Sequence, residues 1–352
     1  MTRIAAVRGA LPPNRHSQAE ITDAIARLCL PEGADRRVLD RLHASARVRS
    51  RHLALPLDRY AKLDGFGAAN DVFVECAVEL GAEAVGTALD AAGLTPGDVD
   101  MIMFTSVTGL AAPSVDARLA GRLGFRPDVK RVPIFGLGCV AGAAGIARVH
   151  DYLRGWPEHV AVLLSVELCS LTLQRDDSSV ANLVAGALFG DGAAAVVACG
   201  AERLPAGSGP TVVATRSHLY PGSEHVMGWD VGDTGFQVVL DASVPDVVRT
   251  YLADDVDGFL ADHGLTRQDV TAWVCHPGGP KVLEAVAETL ALPEEALELT
   301  WRSLASVGNL SSSSVLHVLR DTLALRPPPP GTPGLLIAMG PGFCSELVLL
   351  RW

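Results

Sequence analysis

The sequence predicts an α/β protein made by duplicating one unit, and three observations carry that prediction. Apolar strand-like runs alternate with amphipathic helical stretches through most of the 352 residues, the pattern of helices layered on a sheet. The segment Gly93-Leu94-Thr95-Pro96-Gly97-Asp98-Val99 returns 171 residues later as Gly264-Leu265-Thr266-Arg267-Gln268-Asp269-Val270, with five of the seven positions identical. Finally, Gly138-Cys139 heads a helical stretch ending in Asp151-Tyr152-Leu153, and 170 residues on Gly308-Asn309 heads one ending in Asp321-Thr322-Leu323. Two matches in one order at nearly one offset mark an internal repeat.

The elements follow in chain order. A helix over Glu83 to Ala92 leads into the first Gly-Leu-Thr turn, and the apolar strand Met101 to Phe104 leaves it. A strand-like run at Ile134 turns through glycines into a helix of small residues at Cys139, and Val160 to Val166 and Ala193 to Cys199 read as buried strands. Gly and Pro cluster between Ala201 and Pro210, so the halves divide there, at 1–205 and 206–352. The second copy repeats the plan: helix Val256 to His263, strand Ala272 to Cys275 and a helix from Asn309. The proline-rich stretch Arg326 to Gly334 is a stiff loop before a last strand, Leu335 to Met339, and Gly340-Pro341-Gly342 is a turn.

Composition narrows the function classes. At 49% hydrophobic, 20% charged and mean hydropathy +0.27 the chain should fold. Its apolar runs fall short of the roughly 18 residues of a membrane helix, so no membrane span is expected. The N-terminus lacks a true apolar leader, which predicts a cytoplasmic protein. A net charge of -11 and pI near 5.3 argue against nucleic-acid binding and require a local basic patch for any anionic ligand. Seven cysteines stand singly with no C-x-x-C, giving neither a disulfide framework nor a cysteine zinc site. No metal-ligand spacing, Walker loop or placed dinucleotide motif occurs, so no cofactor is expected.

Three residues stand where chemistry is possible. Cys139 opens a helix, where unpaired amides and the dipole favour a thiolate, and its small neighbours let a substrate approach. Taken alone it also reads as a small buried hydrophobe. His276 ends the strand Ala272 to Cys275 ahead of Pro277-Gly278-Gly279-Pro280, at the strand end where α/β sites sit, although a structural histidine fits as well. Asn309, before Ser311-Ser312-Ser313-Ser314, suits a helix cap, a role compatible with a catalytic one. Under duplication Cys139 and Asn309 occupy equivalent helix heads that can meet at the molecular centre.

The motifs GLGCVAGAAG at Cys139, ALFGDGAAAVV at Ala187 to Val197, CHPGGPKVL at His276, GNLSSSSV at Asn309 and the C-terminal MGPGFCSELVL together resemble the type III polyketide synthases, the chalcone and stilbene synthase family of the thiolase-like fold. The resemblance spans nearly the whole chain and implies two αβαβα halves related by a pseudo-twofold axis, in a homodimer. It implies that Cys139 takes a starter acyl group from coenzyme A and that His276, paired with the Cys139 thiolate, joins Asn309 in holding the oxyanion formed when malonyl-CoA loses carbon dioxide. Phe189 matches the family's gatekeeper between the coenzyme A tunnel and the cavity. The second gatekeeping phenylalanine falls on Val238, which enlarges the gate, while Trp229, near a glycine position of chalcone synthases, fills space elsewhere. Cys169, Thr172 and Ser311 correspond to cavity-lining positions. Tunnel-mouth cations match at Arg41, with Arg47, Arg49 and Lys281 as substitutes for lysines replaced by Val38 and Ser45.

The expected activity is acyl-CoA extension with malonyl-CoA by decarboxylative Claisen condensation. The wide gate favours a medium or long aliphatic starter and an alkylresorcinol or alkylpyrone product. Rivals are a benzenoid made from malonyl-CoA alone, a carrier-protein-dependent ketoacyl synthase, and a silent scaffold of the same fold.

Overall fold

The computed structural model describes residues 1–203 and 209–352, so the expected boundary after residue 205 lies outside the described residues. A nine-stranded sheet runs edge to edge as Ala272–Cys275, Pro333–Gly340, Cys344–Arg351, Thr211–Leu219, Thr2–Ala10, Asp191–Cys199, Val160–Leu168, Met101–Thr105 and Lys130–Ile134. Outward from the centre, each half pairs its strands antiparallel, antiparallel, then parallel. The two central strands, Thr2–Ala10 and Thr211–Leu219, are antiparallel to each other. A twofold axis normal to a sheet turns a strand end for end, so equivalent neighbours across it must pair this way.

Alternation along the strands sorts the core into layers. Ile102 and Phe104 face outward onto the long helix Gly65–Ala92, in a cluster with Ala84, Val85 and Leu89. Met101 and Met103 face inward, onto the helices Ala141–Gly155 and Ser312–Leu325. From the other half, Leu336 and Ala338 meet the same two helices, while Leu335 and Ile337 face Val256 and Phe259 of the outer helix Val244–Ala261. Both central helices are thus buried between two sheet halves that are themselves covered by helices, which is the expected αβαβα layering. Their backbones touch: a Cβ on Gly142 would lie 2.2 Å from the Ser312 carbonyl, so only glycine fits there.

The repeated heptapeptide has a local reason. Gly93 ends one helix at φ 66° and Gly264 takes φ 68° at the matching place, a left-handed conformation that suits glycine. Thr95 N and Oγ1 then donate to Asp98 Oδ2 at 2.9 and 2.6 Å, and Thr266 N and Oγ1 donate to Asp269 Oδ2 at 2.7 and 2.8 Å. The sequence did not indicate the hairpin Met227–Gly232 with Gly235–Leu240, which stands apart from the large sheet and carries both Trp229 and Val238.

Candidate active site

Cys139 sits in a tight turn, Gly138–Val140, that runs into the helix Ala141–Gly155. Gly138 has φ 54°, and a Cβ there would meet Pro341 at 2.6 Å, so the turn and the loop after Pro333–Gly340 close on each other only through glycine. The thiol is buried and donates to Ser311 Oγ at 3.6 Å. Ser311 caps the second central helix at φ 48°, a strained setting for a residue with a side chain. Burial pushes the Cys139 thiol up to about 12, and the nearby Glu167 carboxylate adds to the rise.

His276 is fixed by its backbone, whose N–H donates to Ile337 O at 2.9 Å just past the strand Ala272–Cys275. Both ring nitrogens are buried without a partner among the described residues, and burial pulls the imidazole down to about 4. Each group alone is therefore neutral near pH 7. Asn309 Oδ1 accepts from Ser311 N at 2.8 Å and from Ser314 Oγ at 3.3 Å, so the side chain closes a turn just ahead of the helix and does not bond the backbone amides of its first turn. Its Nδ2 donates one hydrogen to Gly278 O at 3.2 Å, leaving the other unspent.

These three side chains line one cavity of about 730 Å³, together with Phe189 and Lys281. Phe189 also lines a second, smaller cavity of about 50 Å³ walled by Cys169, Thr172, Val238 and Arg51, so its ring divides two compartments. The dividing segment is tied to the site: Asn309 N donates to Leu188 O at 2.8 Å and Gly190 N to Asn309 O at 2.9 Å.

Trp229 and Arg41, two expected site residues, are not among those lining either cavity. Trp229 is the direct cross-strand partner of Val238, so both side chains leave the hairpin on one face, and the indole lies 6.0 Å from the Phe236 ring. The indole is not among the residues that line the small cavity with Val238. Arg41, on the exposed side of Arg37–Ser45, is not among the residues lining the large cavity. Arg47 is, although it pairs with Glu284 at 2.9 Å and lies 4.8 Å over the Trp301 ring.

Glu167, Asp191 and Arg51 were missed by sequence reasoning. Glu167 is fully buried and accepts from Val107 N at 3.1 Å, Thr108 Oγ1 at 2.9 Å, Ser106 Oγ at 3.3 Å and Ser312 Oγ, yet burial still raises it to about 7. Asp191, raised by burial to about 6, accepts from Ala54 N and Ser170 N at 2.6 and 2.8 Å. The available signal was a lone charge in the apolar runs Val160–Leu168 and Asp191–Cys199.

The N-terminal domain model of the chalcone and stilbene synthases matches residues 1–202 and the C-terminal domain model matches residues 211–352. The chain belongs to the chalcone and stilbene synthase family. Among curated members of that family, a 1,3,6,8-tetrahydroxynaphthalene synthase of Streptomyces peucetius subsp. caesius is 62% identical over 352 residues, 100% of this chain and 93% of the relative. A putative chalcone synthase of Bacillus subtilis is 37% identical over 326 residues, 89% of each chain. The crystal structure of the Streptomyces coelicolor tetrahydroxynaphthalene synthase, a bacterial type III polyketide synthase, superposes with a TM-score of 0.93 at 30% identity, covering 99% of both chains. The family member described here is accordingly a type III polyketide synthase, an enzyme of the acyltransferase class. Among the described residues no helix is long and apolar enough to cross a membrane.

Proposed function

We propose that this synthase primes with malonyl-CoA, extends with malonyl-CoA and releases a fused phenol of the tetrahydroxynaphthalene kind. The observation that carries this reading is the 62% identity to a 1,3,6,8-tetrahydroxynaphthalene synthase over the whole chain. Such a product has ten ring carbons, which equal five two-carbon units, the remainder of five malonyl groups after five losses of carbon dioxide. The compartment behind Phe189 supports it. At about 50 Å³ it is smaller than the roughly 150 Å³ that holds one benzene, so a long aliphatic starter has no room there.

In the mechanism we propose, Cys139 gives its proton to His276 and attacks the thioester carbonyl of the first malonyl-CoA, so that a C–S bond forms and coenzyme A leaves as the thiol. Both groups resist charging because of burial, and only their mutual attraction in a low-dielectric site offsets that cost. A second malonyl-CoA then loses its carboxylate as carbon dioxide. The electron pair passes onto the thioester oxygen, where the unpartnered His276 nitrogen and the free Asn309 Nδ2 hydrogen are available as donors. The enolate carbon attacks the Cys139-bound acyl carbon, a C–C bond forms and thiolate leaves. In this proposal Phe189 keeps water from the reacting carbons, and Lys281, which lines the large cavity, meets the coenzyme A phosphates.

The reaction asks only for coenzyme A thioesters. A homodimer is part of the proposal: the edge strand Lys130–Ile134 leaves its outer side unpaired, with exposed Val132 and Phe135 beside it. The decisive test supplies malonyl-CoA alone, and then malonyl-CoA with acyl-CoAs from acetyl to stearoyl, reading products by mass spectrometry. A ten-carbon tetraol from malonyl-CoA alone is expected. Product only when a long acyl-CoA is added overturns the reading.

A further inference from the structure

Arg51 is one of the largest fully buried side chains in the protein, and it lines the small cavity behind Phe189. Its Nη1 donates to Phe189 O at 2.7 Å and its Nη2 to Gln18 Oε1 at 2.9 Å, while Nε is buried without a partner among the described residues. Only two of the roughly five N–H groups of a guanidinium are thereby engaged, and both acceptors are neutral. Among the described residues Arg51 forms no ion pair. The acid that acts on it from a distance, Asp191, is already occupied by Ala54 N, Ser170 N and Ser170 Oγ. Burial lowers Arg51 to about 10, so it stays cationic near pH 7.

A buried charge without a counter-ion is costly, and proteins pair such charges or keep them for a ligand. The other polar groups of this wall are satisfied. Tyr60 Oη bonds Ser170 Oγ at 2.6 Å and accepts from Leu55 N at 3.2 Å, and Asn182 Nδ2 donates to Gln174 O and Asp177 O, each at 2.8 Å. Arg51 alone brings spare donors and net charge. Phe189 lines both this cavity and the one that holds Cys139, so a short acyl group on Cys139 that reaches past it meets the wall carrying the guanidinium.

We propose that Arg51 and the cavity behind Phe189 form a carboxylate subsite, which receives the free carboxylate of a dicarboxylic starter such as the malonyl group borne by Cys139. The proposal rests on the malonyl-primed reading above and supplies its missing element, a reason why a charged starter enters a largely apolar compartment. Arg51 also fixes the carbonyl of Phe189, so an anion drawn to the guanidinium sits against the segment that divides the two cavities.

The test reads Cys139 acylation by intact-protein mass spectrometry, with succinyl-CoA set against butyryl-CoA and against the neutral methyl ester of succinyl-CoA. These probes differ at the far end, and unlike malonyl-CoA they keep it. The parent enzyme is expected to favour succinyl-CoA about tenfold or more, the range for a hydrogen bond to a charged group. Arg51→Met should bring the preference close to unity. Val238→Asp, which sets a competing carboxylate in the same cavity without touching the buried arginine, should also reduce it, and serves if the methionine variant does not fold. Equal acylation of the parent by all three probes overturns the proposal, as does an undiminished preference in a folded Arg51→Met or in Val238→Asp. A parent that makes the tetraol from malonyl-CoA alone yet shows no preference keeps the malonyl-primed reading and loses the subsite. The reverse pair of results keeps the subsite and loses that reading.

Discussion

The two halves can be compared position by position, and they agree in one region and part in another. The turns Gly93 to Val99 and Gly264 to Val270 share their left-handed glycine and their Thr-to-Asp hydrogen bonds. At the heads of the two buried helices, equivalent places hold Cys139 in one copy and Asn309 in the other. The strands diverge in the same zone. Met101 pairs with Ala161 and Ala272 with Gly334, so in this register Glu167 corresponds to Gly340. One half therefore offers a carboxyl to Ser312 at the head of the second helix, and the other offers a glycine to the turn that carries Cys139, where a Cβ would come within 2.7 Å of Val140 N. What supports the sheet was kept in duplicate, and what touches the cavity was divided between the copies.

The comparison breaks most visibly at the two helix heads. Cys139→Ala should retain the fold and lose all acyl loading and product, because Cys275, the other thiol that lines the large cavity, ends a strand and has no helix head behind it; intact-protein mass spectrometry after incubation with acyl-CoA reads the adduct. Asn309→Ala should still be acylated but decarboxylate malonyl-CoA about 10²-fold more slowly, the effect of one lost oxyanion donor, whereas His276→Ala should impair both half-reactions. A parental decarboxylation rate in Asn309→Ala would reduce that residue to the turn it closes with Ser311 N.

Glu167 gives a pH-dependent comparison with Gly340. Its folded value of about 7 exceeds the ordinary 4.5, so the folded protein holds a proton that the unfolded chain releases between those values. Stability from this group is full below pH 4.5 and is lost as pH rises through 7. Glu167→Gln removes that dependence. Relative to the parent, the variant should gain on the order of 3 kcal/mol between pH 4.5 and 8, at 1.36 kcal/mol per pH unit, as read from urea unfolding at several pH values. A constant difference across that range contradicts the assignment. Smallest of all, Thr95→Ala and Thr266→Ala should each cost about 1 kcal/mol, since both remove one cap of the same form. Clearly unequal shifts in the denaturation midpoint would show that the two turns are alike in geometry but not in the load they carry.

Much was determined by the sequence itself. The duplicated turn, the buried strands and the helices begun by Cys139 and Asn309 were legible because they rest on local requirements: alternation on a pleated strand, glycine at positive φ, and a side chain that satisfies free amides. The motifs around Cys139, His276 and Asn309 were legible for the same reason, each being a strand end or helix head within a few residues of glycine. Trp229 opposite Val238 could not be read from either strand alone, since a cross-strand neighbour depends on hairpin register. Nor could Arg51, which in sequence is one arginine among several between Arg36 and Arg59. Only the packing of residues 188–190 against 307–309 around its side chain, where a Cβ on Gly308 would stand 2.9 Å from Arg51 Cδ, buried that charge without a counter-ion. Local chemistry follows from neighbours in the chain, whereas desolvation and the size of a cavity follow from neighbours in space, and those were decided by the tertiary structure.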